Sequence, residues 1–252
     1  MGRNQKENLM SLERSIFIAD THGDLVCQDA VKMVKKVIED WKPKHRVHLG
    51  DVWDFRAIRK GAGPEERAQG ITYDYNCGME LLEWYRPQLL TLGNHDFRLW
   101  RAGEETSQGV LADLCAGMAN DTEDRFRKMN IKWCQWKVGE YLQLPMGGPK
   151  LIHGFKSSMY PAKAHFEHWG SCLFGHVHKP DAYEARHIDG GKAYALGTLA
   201  NLDKMTYADH HAAKLGWRQS FRIGQHNTKT GRWNTWEITK EDGEWMSPMG
   251  IL

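Results

Sequence analysis

The chain has 252 residues, 41% of them apolar and 26% charged, with a net charge of +2. These proportions suit one large folded domain with a sizeable core and exclude a low-complexity or charge-driven disordered chain. The near-neutral balance also excludes nucleic-acid binding by bulk charge, so any basic surface is local.

Five cysteines (Cys27, Cys77, Cys115, Cys134 and Cys172) are odd in number and form no CxxC pair. That pattern argues for free thiols rather than a disulfide framework or a thiolate zinc site. No stretch approaches the ~18–20 apolar residues of a membrane span. The start of the chain carries no apolar run of signal-peptide length. The expectation is therefore a cytoplasmic protein with no membrane partner. Eleven tryptophans are expected to anchor much of the packing.

Residues 1–14 read as a tail or a surface helix, and residues 15–252 as a single domain. Residues 15–19 form a short apolar strand running into Asp20-Thr21-His22-Gly23-Asp24. The helical spacing of Val26, Ala30, Met33, Val34, Val37, Ile38 and Trp41 predicts a helix over 25–41, with Asp24 as its N-cap and Pro43 beyond its end. Residues 47–49 are the next strand, ending at Gly50-Asp51-Val52-Trp53-Asp54. Strand, helix and strand within some forty residues make a βαβ unit with parallel strands.

Residues 56–72 are rich in Gly, Arg and Glu and read as an excursion over the strand ends. A helix over 75–85 precedes a third strand, 89–92, which meets Gly93-Asn94-His95-Asp96. One or two helices follow over 108–130. The alternation over 131–144 predicts strands of a second sheet. A strand at 150–152 ends at His153-Gly154, and after a helix over 161–168 another at 172–174 ends at Gly175-His176-Val177-His178. Further strands are expected at 182–187, 192–196, 217–223 and 233–238.

Five strand ends thus carry residues of one chemical kind: Asp20 and His22, Asp51, Asn94 and His95, His153, then His176 and His178. Any one cluster reads more simply as turn chemistry. Turn chemistry alone does not account for a metal ligand at every strand end. Imidazole, carboxylate and amide donors suit Mn, Fe or Zn. Seven ligands exceed a closed tetrahedral site and match two ions ~3.5–4 Å apart sharing a carboxylate. Asp51, standing between the two groups, is the expected bridge.

Asp20-x-His22, Gly50-Asp51-x-x-Asp54, Gly93-Asn94-His95-Asp96, His153-Gly154 and Gly175-His176-x-His178 together resemble the ordered motif set of the calcineurin-like metallophosphoesterases. The resemblance covers roughly residues 15–200. It implies an α/β protein, a four-layer α/β/β/α sandwich of two mixed sheets with the metal site at strand ends. One divalent ion would be held by Asp20, His22 and His178, the other by Asn94, His153 and His176, with Asp51 between them. Manganese is the favoured metal, with Fe or Zn as alternatives. The implied reaction is cleavage of a phosphoester by a metal-activated hydroxide, with His95 serving the leaving oxygen. Asp96 is expected to orient His95, and Asp54 to bond a ligand histidine.

The implied partner is a phosphoester substrate, with a phosphodiester of nucleic acid or a nucleotide favoured over a phosphomonoester such as a phosphoprotein. A non-catalytic scaffold of the same fold is the remaining alternative. Arg56 and Arg98 are the candidate substrate contacts, each close in sequence to a ligand. Thr198 and Asn201 are further candidates by position. Between Lys204 and Arg232, six basic residues face one acidic residue, Asp209, among aromatics such as Trp217 and Phe221. That run suits single-stranded nucleic acid, although the alternation of Trp217, Phe221 and Ile223 also reads as a buried edge strand.

Overall fold

A computed structural model describes residues 11–104, 109–145, 147–186, 190–209 and 212–248. The protein is a mixed α/β protein with two mixed sheets and six α-helices among the described residues. Strand β1 (Leu12–Ile18) starts three residues before the expected position, so that part of the predicted tail is strand. Most of the rest of that tail lies outside the described residues. Helix α1 (Gln28–Trp41) and β2 (His45–His48) complete the βαβ unit, and β1 and β2 pair in parallel from Ser15↔His45 to Ile18↔His48.

Helix α1 buries Ala30, Val31, Val34, Val37 and Trp41. Its cap is Cys27, because residues 23–25 form a separate 3-10 turn before it. Asp24 is therefore not the cap. The excursion over 56–72 folds locally into a 3-10 turn (Arg56–Ile58) and the short helix α2 (Pro64–Ala68), then joins α3 (Thr72–Tyr85). Helix α3 ends where Arg86 turns left-handed, and β3 (Leu89–Thr91) then pairs in parallel with β2.

Helices α4 (Phe97–Glu104) and α5 (Val110–Lys128) lead to β4 (Lys132–Cys134). The alternation over 131–144 pointed to the second sheet, but β4 pairs in parallel with β3 and extends the first. Alternation reports a half-buried strand and carries no information on its neighbour. The second sheet holds β5 (Lys150–Leu151), β6 (Cys172–Phe174), β7 (Asp181–Glu184) and β8 (Lys192–Ala195), in the order β5-β6-β8-β7, with α6 (Pro161–Trp169) between β5 and β6 in sequence.

The chain then returns to the first sheet through β9 (Ser220–Asn227), β10 (Trp233–Glu241) and β11 (Glu244–Met246). That sheet has the order β11-β10-β9-β1-β2-β3-β4, and β9 runs antiparallel to β1. Phe221 and Ile223 lie in the core, so the strand reading of that segment holds from Ser220. His210 and His211 lie outside the described residues.

Apolar clusters join these layers. Ile16, Ile18, Leu90, Phe221 and Ile223 pack on α1, α3 and α5. Phe17, Val47, Leu49, Leu151, Leu173 and Leu196 bring inward faces of both sheets together. Phe174, Ala193 and Ala195 meet Ala162 of α6. Trp53 stacks between Phe55 and Tyr75 and donates its indole N–H to the Tyr75 carbonyl at 3.0 Å, beneath the loop that follows β2.

Candidate metal centre

The loops after β1, β2, β3, β5 and β6 converge at one end of the two sheets, as strand ends of α/β folds commonly do. The loops after β1 and β2 run side by side. Asp20 N–H donates to the Gly50 carbonyl, Thr21 and His22 N–H to that of Asp51, and Gly23 N–H to that of Val52, all at 2.7–3.0 Å. Asp20, His22, Asp51, His176 and His178 all adopt left-handed backbone, with φ of 50° to 72°. Asp, Asn and His tolerate that region better than other residues with a Cβ. Each such residue still costs of order 1 kcal/mol, held in place by the surrounding fold.

Two ligand sets result. Asp20, His22, Asp51 and His178 present atoms within 4.8 Å of one another, as do Asp51, His153 and His176. In the first set, His22 Nε2 faces His178 Nε2 at 3.1 Å and Asp51 Oδ2 at 4.0 Å, while His178 Nε2 lies 3.3 Å from Asp20 Oδ1. In the second, His153 Nε2 is 3.3 Å from Asp51 Oδ2, and Asn94 Oδ1 lies 3.1 Å from His153 Nε2 and 2.8 Å from His176 Nδ1. Asp51 belongs to both. All seven expected ligands are together; five are buried at 4% exposure or less, and Asn94 and His176 are partly exposed.

Backbone amides aim the carboxylates. His176 N–H donates to Asp20 Oδ2 at 2.9 Å, and His95 N–H to Asp51 Oδ1 at 2.9 Å. Two glycines permit this closeness: a Cβ on Gly93 would overlap Asp51 Oδ1, and one on Gly175 would overlap Asp20 Oδ2. His153 is fixed from behind by the Leu49 carbonyl, 2.7 Å from its Nδ1, the usual way a ligand histidine is oriented.

The electrostatics fit bound cations. Burial works against ionisation of Asp51, but His153, His95 and His22 more than offset it and hold the carboxyl well below its usual range. Asp20 is lowered in the same way, chiefly by His178 against burial. Burial likewise opposes a charge on His153, yet Asp51 and then Asp20 raise it to about 9. His176 is pushed down to about 3 by burial and by His153, so its ring is neutral with a lone pair to offer. The ring nitrogens His22 Nδ1 and His178 Nδ1 are buried without a hydrogen bond. Anionic oxygens, imidazoles and an amide oxygen packed at this density form a set that can hold divalent metal ions, the proton on His153 being one that a bound ion would displace.

His95 is partly buried beside this set, its Nε2 3.9 Å from Asp51 Oδ2. Asp54 Oδ1 accepts from its Nδ1 at 2.5 Å and also lies 3.4 Å from His22 Nδ1. Asp54 is held far below its usual range: burial would raise it, but the nearby His22 ring and the hydrogen bond and charge of His95 outweigh that. The role expected of Asp96 therefore falls to Asp54. Asp96 is fully buried and accepts from the N–H groups of Trp53 at 2.9 Å and Gly93 at 2.8 Å, tying the β2 and β3 loops together. Burial, then the Asp51 charge, raise its carboxyl well above the usual range.

The two candidate substrate arginines have internal partners. Arg56 forms a two-pronged pair with Asp24, bonds the Gln69 amide oxygen and approaches Asp54 at 3.4 Å. Arg98 donates to the Asp54 carbonyl at 2.6 Å and lies 3.6 Å from Asp54 Oδ1. Both guanidiniums thus converge on Asp54. Thr198 is buried and donates to the Asp20 carbonyl at 2.6 Å, bracing the β1 loop, while Asn201 caps the 3-10 turn Leu202–Lys204. Trp217 stands edge-on to His178, ring centroids 4.4 Å apart.

Sequence reasoning missed His48. Its Nδ1 accepts from Gly50 N–H at 3.1 Å, which puts the ring proton on Nε2, facing Thr21 Oγ1 at 3.1 Å. The Thr21 hydroxyl then donates to the Val52 carbonyl at 3.2 Å. Burial lowers His48 to about 3, so this neutral relay persists across ordinary pH. A histidine between Val47 and Leu49, where the strand meets the Gly50-Asp51 turn, was the available signal.

Beside His153 lies a cavity of about 510 Å³, lined largely by apolar groups that include Leu92, Trp136, Ile152, Phe155 and Trp169. No helix among the described residues is long and apolar enough to cross a membrane.

No protein-family model matches the chain, and no curated protein matches it. Among solved structures, the phosphoesterase YfcE from E. coli is 15% identical over 95% of this chain and 100% of its own, with a TM-score of 0.43. A hypothetical protein, PH1004 from Pyrococcus horikoshii OT3, is 9% identical over 91% of this chain and 89% of its own, also at 0.43. At this overlap neither structure bears on the chemistry of the site.

Proposed function

We propose that the chain is a two-metal phosphoesterase of the calcineurin-like kind, acting on phosphodiesters of nucleic acid or nucleotides. The observation that carries this reading is the meeting of two ligand sets at Asp51 with the His95–Asp54 pair beside them. Helices, seven-stranded sheet, four-stranded sheet and helix would then form the four layers of that fold. A scaffold has no need of a complete ligand set or of a paired histidine beside it.

Asp20, His22 and His178 would hold one ion and Asn94, His153 and His176 the other, with Asp51 shared. Manganese is favoured, and iron or zinc suit the same donors. When bound, such a pair neutralises charge on the phosphoester and makes water acidic enough to attack at neutral pH. The protein's own groups supply the rest. Asp51 and Asp20 stay ionised because buried histidines surround them. Asp54 accepts the hydrogen bond of His95 Nδ1–H, which directs Nε2 toward the site; from the doubly protonated ring, Nε2 would give its proton to the departing oxygen. Arg98, bonded to the Asp54 carbonyl, keeps that loop in position.

The cavity beside His153 favours the diester, because it leaves room for a second, apolar or aromatic substituent on phosphorus. The test is hydrolysis of bis-p-nitrophenyl phosphate against p-nitrophenyl phosphate with added Mn²⁺ and an EDTA control. Faster metal-dependent turnover of the diester is expected. Faster turnover of the monoester would replace the diesterase reading with a phosphatase, and no metal-dependent turnover of either would overturn the hydrolase.

A further inference from the structure

A second group of metal-ligating side chains lies at the opposite end of the seven-stranded sheet. Glu13 sits near the start of β1, seven positions before Asp20 and so about 20 Å from it along the strand. His45 opens β2, and His226 stands near the end of antiparallel β9, directly paired with Glu13. Strand alternation puts Glu13 on the same face as Phe17, and His45 on that of Val47 and Leu49. That face packs against the second sheet, so the three residues meet at the rim of the inter-sheet core.

The three side chains are within reach of one ion, which would replace the hydrogen bond between Glu13 and His45. One atom from each residue lies within 4.8 Å of the others. Glu13 Oε2 is 2.5 Å from His45 Nε2 and 3.8 Å from His226 Nε2. The two rings stand 5.3 Å apart between centroids, tilted at 54°. Lys44 bonds the other carboxylate oxygen of Glu13, which leaves Oε2 to the imidazoles.

His226 points to a missing partner. It is 1% exposed, and neither ring nitrogen makes a hydrogen bond; the Pro145 carbonyl lies against the ring without the alignment of one. A buried polar group left unsatisfied costs ~1–3 kcal/mol. The buried hydroxyl of Ser15, two residues along β1 on the same face, also lacks a partner.

We propose that Glu13, His45 and His226 form a third, structural divalent-metal site, of zinc by its two imidazoles and one carboxylate, with water in the fourth position. The ion joins the returning strand β9 to the parallel pair β1 and β2, apart from the site of hydrolysis. It does not depend on the proposed reaction.

The experiment counts zinc. Protein stripped with a chelator is titrated with Zn²⁺, passed over a desalting column and analysed by mass spectrometry for bound metal. The parent is compared with His226→Gln, with Glu13→Gln, and with an Asp51→Asn/His153→Ala chain crippled at the strand-end site. The crippled chain should keep one zinc per molecule. At a hundredfold excess over its Kd, zinc should raise that chain's Tm by roughly 5–10 °C. Adding His226→Gln should remove both the zinc and the shift.

In the otherwise intact protein, His226→Gln and Glu13→Gln should each bind one equivalent less, with diester turnover unchanged. Circular dichroism of the stripped proteins separates loss of a ligand from loss of the fold. Should the crippled chain not fold, the one-equivalent deficit of the two single variants carries the test. Equal zinc in parent, His226→Gln and Glu13→Gln would overturn the proposal and leave a Glu13–His45 ion pair beside a buried water.

Discussion

His95 Nδ1 lies 2.5 Å from Asp54 Oδ1, although Asp96 is its neighbour in sequence and Asp54 is 41 residues away. The carboxylate one position on is turned inward to the amides of Trp53 and Gly93. The histidine beside the candidate metal ligands is thus oriented by the loop that also presents Asp51.

This pairing sets the expected hierarchy of variants. His95→Ala should keep its metals and lose 10²–10⁴-fold in kcat on diesters with poor leaving groups, with a smaller loss for p-nitrophenolate. Asp54→Asn should lose about 10–100-fold with the same leaving-group trend. Rates over a series of leaving groups, with metal content measured in parallel, check both. A His95→Ala chain that drops its metals would show that the side chain holds the site rather than serving the reaction.

Asp51 faces both ligand sets, at 4.0 Å from His22 and 3.3 Å from His153. Asp51→Asn should therefore lower occupancy of two ions together. His178→Ala, whose ring approaches only the Asp20 and His22 side, should lower one. Metal stoichiometry after dialysis distinguishes them, and loss of a single ion in Asp51→Asn would contradict a shared carboxylate.

Gly93 leaves no room for a side chain, because a Cβ there would meet both Asp51 Oδ1 and the Asp51 amide. Gly93→Ala should cost ~1–3 kcal/mol of stability and displace the carboxylate, so metal binding should weaken along with Tm. Full metal retention at parental stability would mean that the β2 and β3 loops separate more easily than this packing implies.

Stability should also carry a signature of Asp74 between pH 4 and 7. Burial, opposed by the Phe55 and Asp54 amides that it accepts, raises this carboxyl from 3.8 to about 6. The folded state therefore binds the proton more tightly than the unfolded chain. The stability that protonation supplies is complete below about pH 3.8 and is lost as pH rises through about 6. Relative to the parent, Asp74→Asn should become more stable across that interval by roughly 3 kcal/mol at most. Urea unfolding at pH 4 and pH 7 gives the difference, and an identical gap between parent and variant at both would exclude the shift.

What the sequence by itself determined is local. Apolar runs of strand length, the helical periodicity read over 25–41 (helix from Gln28 in the structure), and Asp, Asn, His and Gly at strand ends depend on residues a few positions apart, so they survive reading in one dimension. The order of those strand ends was enough to nominate Asp20, His22, Asp51, Asn94, His153, His176 and His178, and the structure brings all seven together. Tertiary structure decided the partnerships across distance. Asp54 rather than Asp96 holds His95, Arg56 turns to Asp24, and Thr198 braces Asp20 from 178 residues away. Strand order made β4 an edge of the first sheet and carried His226 back to Glu13. The reason is physical: turn and periodicity preferences act within a few residues, whereas side-chain pairing follows from which strands become neighbours, a property of the packed core as a whole.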